Sequence, residues 1–317
     1  MKRRKIKRKV NFFITLIILS VCYIGIYKFS QSSQVQSFMN EIIEVSGPST
    51  TFIHSSLKAP NIKGQAAILM DASSGEILLK QDANSAFPVA SMSKLMTEYI
   101  VQEQIQNGNI KWDDLVEISH SANNMDPQAV KIYVKDNDAL TVRDLYSAMV
   151  ISSANNATRA LAEHVAGTEK RFAELMNKKA KEIGLSSKTN FVNSTGLVNT
   201  DGSENMMTAE DVAILAYQLL SDFPEVVETT NLLEYELAYD STNLKNSNSM
   251  LYPENQDLYF NLVDGLKTGY TETAGYCFAG TAKQGDKRLI SVVMGTKSDD
   301  ARFRETYKLL SFGFDNL

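Results

Sequence analysis

A serine and a lysine three residues apart could form a nucleophile and its base. The segment Ser91-Met92-Ser93-Lys94 would place Ser91 Oγ and Lys94 Nζ on one face of a helix, within reach of each other. A serine hydroxyl attacks poorly until a neighbouring base takes its proton, and burial beside other charges can lower the pKa of a lysine enough for that task. A position at a helix N-terminus would add free backbone N–H groups. Alone, the pattern also fits an ordinary solvated helix start.

Two further polar groups could serve such a nucleophile. Ser153 and Asn155 lie between two predicted helices, where a hydroxyl and an amide could relay a proton and hold a peptide backbone. Lys267 and Thr268 precede Gly269 on a predicted late strand, where they could hold a carboxylate while the glycine admits an extended backbone. Each group alone is equally typical of a helix N-cap region or of an ordinary strand.

The elements that must position these groups follow from hydrophobic periodicity. Strands are predicted at 66–70, 77–79, 262–267, 276–279 and 289–294. Helices are predicted after Pro88, after the capping boxes Thr141-x-x-Asp144 and Thr208-x-x-Asp211, from Asn156 to Val165, over 172–183, and over 302–310. Gly167 and Gly184 stand where helix C-caps belong. Strands at both ends with helices between them predict one sheet built from both ends and an inserted helical lobe.

Composition and charge narrow the classes of function. The chain is 44% hydrophobic and 22% charged, as in ordinary globular proteins. Residues 1–9 carry seven cations and no acid, although the net charge of the chain is −5, so the remainder is acidic. Because phosphate binding needs a cationic face, the acidic body argues against nucleic acid as a partner.

The N-terminal region predicts an anchor. Val10–Tyr27 is an 18-residue, mostly apolar run directly after the cationic cluster, just long enough to cross a bilayer as a helix. The positive charge before it favours a cytoplasmic N-terminus and an extracytoplasmic body. A cleaved signal peptide and a lipoprotein anchor at Cys22 are alternatives that would export the body as well. We therefore divide the chain into a basic tail (1–9), an anchor (10–29), a Ser- and Gln-rich linker (30–61) and a folded domain (62–317).

Metal and disulfide chemistry find little support in the sequence. The three histidines (His54, His120 and His164) form no HExxH pattern, so we predict no metal site and no cofactor. Cys22 lies in the apolar run and Cys277 near the end of the folded domain, so we expect no disulfide between them.

The three polar groups together resemble a known set. The order S-x-x-K, S-x-N, K-T-G marks the penicillin-binding proteins and serine β-lactamases. Longer segments resemble the low-molecular-mass D-alanyl-D-alanine carboxypeptidases of peptidase family S11, namely 88–97, 161–167, 191–197 and 263–276. The resemblance covers roughly 62–317. It implies an α+β, β-lactamase/transpeptidase-like fold: an antiparallel sheet flanked by helices, with the active site between the sheet and the inserted helical lobe.

The resemblance implies catalytic roles for four residues. Ser91 becomes the acylated nucleophile and Lys94 its base, whereas Ser153 and Asn155 become the proton relay and the substrate-positioning pair. Asn156 departs from the pattern, because many family members have Asp at that position.

The resemblance also implies a substrate-binding strand. Lys267, Thr268, Gly269, Tyr270 and Thr271 would bind the substrate, with the first two on its terminal carboxylate. The backbone N–H groups of the nucleophile and of Tyr270 would form the oxyanion hole. Many members have His where this chain has Tyr270. Because the hole uses a backbone donor, we expect that difference to alter specificity more than chemistry.

The implied activity is removal of the terminal D-Ala from peptidoglycan stem pentapeptides ending in D-Ala-D-Ala, with β-lactams as covalent inhibitors, at the outer face of the cell membrane. D,D-endopeptidase action on cross-links stays an alternative because the same machinery would serve it. A β-lactamase is another, but residues 188–195 lack the glutamate that class A enzymes use for deacylation. A non-catalytic wall-binding or β-lactam-sensing module is the third.

Overall fold

The computed structural model describes residues 59–316, and every structural statement below concerns those residues. The predicted basic tail, the anchor and nearly all of the linker lie outside the described residues. Within 59–316, no helix is both long and apolar enough to cross a bilayer.

The described part of the chain contains strands at both ends and helices between them. The strands are β1 (Ala66–Asp71), β2 (Ile77–Gln81), β3 (Ala86–Pro88), β4 (Leu115–Glu117), β5 (Ala139–Thr141), β6 (Met206–Thr208), β7 (Glu234–Glu236), β8 (Asn243–Lys245), β9 (Val263–Thr271), β10 (Gly275–Gln284) and β11 (Lys287–Thr296). The α-helices are α1 (Lys94–Gln106), α2 (His120–Asn123), α3 (Val142–Ile151), α4 (Asn155–Ala166), α5 (Glu169–Glu182), α6 (Ala209–Asp222), α7 (Val226–Thr230) and α8 (Asp299–Asn316). Two 3₁₀ turns span Ala90–Ser93 and Ser249–Leu251.

One five-stranded antiparallel sheet organises the domain, in the order β2-β1-β11-β10-β9. β1 pairs with β11, from Ala66 opposite Met294 to Asp71 opposite Leu289. This pairing confirms the prediction that the sheet is built from both ends of the domain. β9, which carries Lys267, is an edge strand, and it runs to Thr271 rather than ending at Lys267 as the apolar pattern predicted.

Both faces of the sheet are covered. On one face, Ile68 and Val292 join a core that includes Met96 of α1 and Leu215 of α6. The opposite face packs against the C-terminal helix, whose Phe303 meets Phe278 of β10 edge to face with ring centroids 5.2 Å apart. α3 and α4 form the separate core of the inserted lobe. The sheet and lobe therefore have distinct cores, as the inserted-lobe prediction requires.

The predicted helix signals are present. Thr141 Oγ1 accepts from Asp144 N at 3.0 Å, and Thr208 Oγ1 accepts from Asp211 N at 2.9 Å. Gly167 follows α4 with φ +78°, which a glycine adopts without strain. The carboxylates do not complete the reciprocal box, however. That of Asp211, for example, accepts from the backbone and hydroxyl of Ser186 instead.

Candidate active site

Ser91 is half-buried and lies in the 3₁₀ turn that leads into α1. The sequence predicted that a helix would begin at this residue, but α1 begins one turn later, at Lys94. Two glycines pack closely against this turn. A Cβ on Gly269 would come within 2.8 Å of the Val89 carbonyl oxygen, and one on Gly196 within 1.9 Å of the Ala90 carbonyl oxygen. Because no side chain fits at either position, β9 and the 193–197 segment fix Ser91, the predicted nucleophile, from two sides.

Lys94 is buried and lies at the centre of the site. Its Nζ is 2.8 Å from Ser91 Oγ, 2.9 Å from Asn155 Oδ1 and 2.8 Å from the Thr195 carbonyl oxygen. These three oxygens come from the 3₁₀ turn, from α4 and from the 193–197 segment. The amine therefore joins the predicted nucleophile to the predicted S-x-N group.

The environment of Lys94 favours a neutral amine. Burial lowers its pKa well below the ordinary value, and the nearby charge of Lys267 lowers it further, whereas Glu169 acts in the opposite direction. A neutral amine can donate two hydrogen bonds and accept one. It would donate to Asn155 Oδ1 and the Thr195 carbonyl and accept from the Ser91 hydroxyl. This is the arrangement that general-base activation of a serine needs.

The S-x-N group occupies the junction between α3 and α4. Ser153 is largely buried and adopts φ +65°, and Asn155 begins α4. The backbone N–H and the Nδ2 of Asn155 both donate to the Val130 carbonyl, at 2.8 and 3.0 Å. The Asn155 side chain is thereby held with its oxygen on Lys94.

Asn156, one of two positions at which the chain departs from the family pattern, faces away from this chemistry. Its Oδ1 accepts from Ile132 N at 3.0 Å, and its Nδ2 donates to the Ile132 carbonyl at 2.9 Å. The residue fixes the segment around Ile132 against α4.

The strand side of the site is formed by β9. Lys267 is 1% exposed, and its Nζ lies 3.3 Å from the Thr268 carbonyl oxygen. Burial lowers the pKa of Lys267 to about 7; the charge of Arg302 lowers it as well, and Glu98 opposes both. The hydroxyls of Thr268 and Ser247 are 2.7 Å apart. β9 thus carries a hydroxyl and, below about pH 7, an ammonium on consecutive residues, and both kinds of group can donate to a carboxylate.

The end of β9 opens toward solvent. Tyr270 is half-exposed, and its ring lies against that of Tyr276 with centroids 4.2 Å apart. Thr271 Oγ1 contacts Glu204 at 3.4 Å. As β9 is an edge strand, the backbone groups facing away from β10 can pair with an added extended peptide.

Comparison with known proteins assigns the family. The family model described as D-alanyl-D-alanine carboxypeptidase, Peptidase_S11, matches residues 53–298. This chain belongs to that family. It is 37% identical over 271 residues to D-alanyl-D-alanine carboxypeptidase DacC of Escherichia coli and 34% identical over 257 residues to DacF of Bacillus subtilis. These alignments cover 84% and 80% of this chain, but the chain spans only 65% and 62% of the length of those relatives.

Solved structures agree with the S11 assignment. Penicillin-binding protein D2 of Listeria monocytogenes, crystallised with ampicillin bound, is 38% identical to this chain with a TM-score of 0.72. The match covers 80% of this chain and 100% of that one. This S11 chain therefore has the β-lactamase/transpeptidase-like fold that the motif set implied.

Several residues of the site went unrecognised in the sequence. Thr195 contributes a backbone carbonyl, which no side-chain pattern reveals, although its segment resembled the family. Arg302, from α8, donates to the Gly269 carbonyl at 3.1 Å. Ser247 receives no motif signal, yet its N–H donates to the Ile151 carbonyl and its hydroxyl meets Thr268, so it links the lobe to β9.

Two carboxylates, the buried Glu98 and the half-buried Glu169, were also missed. Glu98, one turn beyond Lys94, accepts from Tyr146 Oη at 2.7 Å, and burial raises its pKa to about 7. Glu169 accepts from Ser194 Oγ at 2.8 Å and pairs with Arg159 Nε at 2.6 Å. Glu98 follows the S-x-x-K motif on α1 but is not part of it, and Glu169 begins α5, which carries no motif, so neither carboxylate has a motif signal of its own.

The described residues contain no group of three or more His, Cys, Asp or Glu side chains arranged to hold a metal ion. Within 59–316, His120 pairs with Asp136 at 2.7 Å at the surface of the lobe, and Cys277 is a buried free thiol.

Proposed function

We propose that this protein is a serine D-alanyl-D-alanine carboxypeptidase that removes the terminal D-Ala from peptidoglycan stem pentapeptides through an acyl-enzyme on Ser91. The observation that carries the proposal is the buried Lys94 amine, within hydrogen-bond distance of the Ser91 hydroxyl. Its lowered pKa suits a base, and its other two partners fix the direction of its lone pair.

In the proposed acylation step, Ser91 Oγ bonds to the carbonyl carbon of the penultimate D-Ala while Lys94 takes the hydroxyl proton. The backbone N–H groups of Ser91 and Tyr270 stabilise the oxyanion. The carbon–nitrogen bond then breaks, and the proton passes through Ser153 to the leaving amine of the terminal D-Ala. Water hydrolyses the ester in a second step, with Lys94 again as base, and restores the serine.

The strand side supplies specificity for a free C-terminus. Lys267 and Thr268 bind the terminal carboxylate, and the substrate extends along β9 past Gly269. A β-lactam whose carboxylate occupies the same groups would acylate Ser91 and leave slowly. β-Lactams are therefore the expected covalent inhibitors.

The alternatives differ from this proposal in defined ways. A β-lactamase needs a carboxylate free to activate water, but Glu169, the acid whose charge acts on Lys94, is engaged by Ser194 and Arg159. A sensing module would form the acyl-enzyme but release no D-alanine. A D,D-endopeptidase would cut a cross-linked dimer, whose acceptor strand would have to pass the Lys267 side of the site.

For the location we propose a single membrane-spanning anchor at residues 10–29, with the catalytic domain on the extracytoplasmic side. The support is the apolar run that follows seven cations, and the substrate, which lies outside the membrane. Membrane fractionation and N-terminal sequencing of the mature protein distinguish an intact anchor from a cleaved signal.

The deciding experiment incubates the purified protein with a defined stem pentapeptide, with a cross-linked dimer and with a fluorescent penicillin. We expect D-alanine from the pentapeptide, slower cleavage of the dimer into its two monomeric peptides, and stable penicillin labelling. Ser91→Ala should abolish both reactions while leaving the melting temperature near that of the parent. Labelling retained in Ser91→Ala, or labelling without D-alanine release in the parent, would contradict the proposal.

A further inference from the structure

A cavity of about 920 Å³ opens beside the catalytic groups. Its walls are the loop 124–129, the loop 197–201 and Thr271 at the end of β9, with Arg159 behind them. Each wall continues directly from a segment of the site. Residue 129 precedes Val130, which holds Asn155; residue 197 follows the turn that supplies the Thr195 carbonyl; and Arg159 lies one turn along α4 from Asn155.

The direction of the strand decides what would enter this cavity. If Lys267 and Thr268 take the terminal carboxylate, the rest of an extended peptide runs along β9 toward Thr271. Three residues of strand span about 10 Å, which carries the chain from the terminal D-Ala, past the scissile carbonyl, to the residue before the two alanines. That residue, the third of the stem, arrives where Thr271 borders the cavity.

The charges around the cavity are mostly negative. Asp126 and Asp201 line it and are exposed. Each uses one carboxylate oxygen within its own loop: Asp126 Oδ1 accepts from Gln128 N at 2.7 Å, and Asp201 Oδ1 from Ser203 Oγ at 2.6 Å. Their second oxygens have no hydrogen-bond partner among residues 59–316.

The one cation in the cavity wall, within the described residues, is already compensated. Arg159 Nε lies 2.6 Å from Glu169 Oε2, and its Nη1 donates to the Ser121 carbonyl at 2.9 Å. Glu204, which accepts from Thr273 at 2.6 Å beside Thr271, adds a further negative charge near the mouth. The field in the cavity therefore favours a cation.

We propose that this cavity receives the side chain of the third stem residue, and that Asp126 and Asp201 select a side chain ending in an ammonium group. The inference rests on the proposed carboxypeptidase function and deepens it. The choice among stem peptides would then depend on two loops that lie outside all three sequence motifs.

The test compares three pentapeptides that differ only at the third residue, which is L-lysine, Nε-acetyl-L-lysine or norleucine. Two partly exposed ion pairs should give the lysine peptide a kcat/KM about 3- to 10-fold higher than the acetylated one, mainly through KM. Raising the salt concentration should reduce the preference. In the double variant Asp126→Asn/Asp201→Asn the ratio should fall to about 1.

Asp286→Asn is the matched control, since Asp286 is an exposed carboxylate in the turn between β10 and β11, beyond the far end of the sheet. It should leave the ratio unchanged. Equal kcat/KM for the lysine and acetyl-lysine peptides in the parent protein would overturn the inference. A preference that persists in the double variant would do the same.

Binding to the Ser91→Ala protein separates this inference from the proposed function. Calorimetry with the same peptides reports occupancy of the cavity without turnover. Selective binding of the lysine peptide, with no D-alanine released by the parent protein, would uphold the cavity and reject the carboxypeptidase. Release of D-alanine from all three peptides at equal rates would do the reverse.

Discussion

The two buried lysines of the site differ in how they are held. Lys94 has three oxygen partners within 2.9 Å, from three separate segments of the chain. Lys267 has one acceptor among the described residues, the Thr268 carbonyl, at a longer 3.3 Å. Both side chains are about 1% exposed, so burial alone does not explain the difference.

The difference matches two kinds of task. A base must be aimed before the substrate arrives, because an amine displaced from the hydroxyl cannot take its proton. A carboxylate-binding group instead needs donors that are still unused when the substrate arrives. A positive charge on either of two neighbouring buried amines also disfavours a positive charge on the other. The arrangement therefore favours a neutral Lys94 and leaves Lys267 as the group that gains a proton when a carboxylate binds.

Removing Lys94 should produce the largest effect. We expect Lys94→Ala to lower the rate of acylation by a fluorescent penicillin about 10³-fold or more, because the serine loses its base. Docking on β9 should largely survive. The control is Lys181→Ala, an exposed lysine on α5, whose rate should match the parent. An unchanged acylation rate in Lys94→Ala would refute lysine as the base.

The fixed nucleophile side can be disturbed through Gly196 without touching a catalytic group. Gly196 and Gly202 both have φ +82°, but a Cβ on Gly202 meets nothing within 4 Å, whereas one on Gly196 meets the backbone of Ala90 at 1.9 Å. Gly202→Ala should cost about 1–2 kcal/mol of unfolding free energy from backbone strain alone. Gly196→Ala should cost several kcal/mol and lower acylation about 100-fold. Equal melting temperatures for the two variants would show that the 193–197 segment does not hold the nucleophile.

The strand side should respond to Lys267→Ala with a smaller, substrate-dependent loss. Removing one charged hydrogen-bond donor should lower kcat/KM for a pentapeptide about 10- to 100-fold, mainly through KM. A substrate ending in D-alaninamide should lose much less. Similar losses for the acid and the amide would argue against carboxylate recognition by Lys267.

The pH dependence of the parent protein should also distinguish the two lysines. The pKa of Lys267 in the folded protein is about 7, so its charged form is present below that pH and is lost above it. The KM of the acid substrate should therefore rise roughly tenfold between pH 7 and pH 8.5, and the amide should show little of this rise. The rate of acylation should instead rise with pH, because only the neutral form of Lys94 is a base. A KM ratio of acid to amide that stays constant with pH would contradict the role of Lys267.

The sequence predicted the helix ends and the contact between Ser91 and Lys94 for a local reason, whereas the β-lactamase/transpeptidase-like fold and the meeting of Lys94 with Asn155 followed from the family resemblance. Thr141, Thr208, Gly167 and Gly184 mark helix ends through their own backbone conformation, and the spacing of Ser91 and Lys94 acts within one turn. The apolar pattern ended β9 early, because residues 268–271 include no aliphatic side chain larger than a hydrogen or a threonine methyl. The paired short strands, such as β7 with β8, are too short to show a period of two.

What the sequence could not reveal depends on contacts between distant segments. Thr195 contributes a carbonyl, and every residue has one. Arg302 and Glu98 act from α8 and from the buried side of α1, where their side chains would ordinarily be interpreted as exposed helix charges. The orientation of such groups depends on how the sheet and the lobe pack.

Ser247 gives the smallest expected effect and tests the link between the two sides of the site. Its N–H donates to the Ile151 carbonyl near the S-x-N group, and its hydroxyl lies 2.7 Å from that of Thr268. Ser247→Ala keeps the backbone bond and removes only the hydroxyl, so one neutral hydrogen bond of about 1 kcal/mol is lost. We expect a three- to sixfold rise in KM for the acid substrate and no change in acylation by an amide substrate. A loss shared equally by both would mean that Ser247 holds the lobe against β9 rather than orienting the hydroxyl that meets the carboxylate.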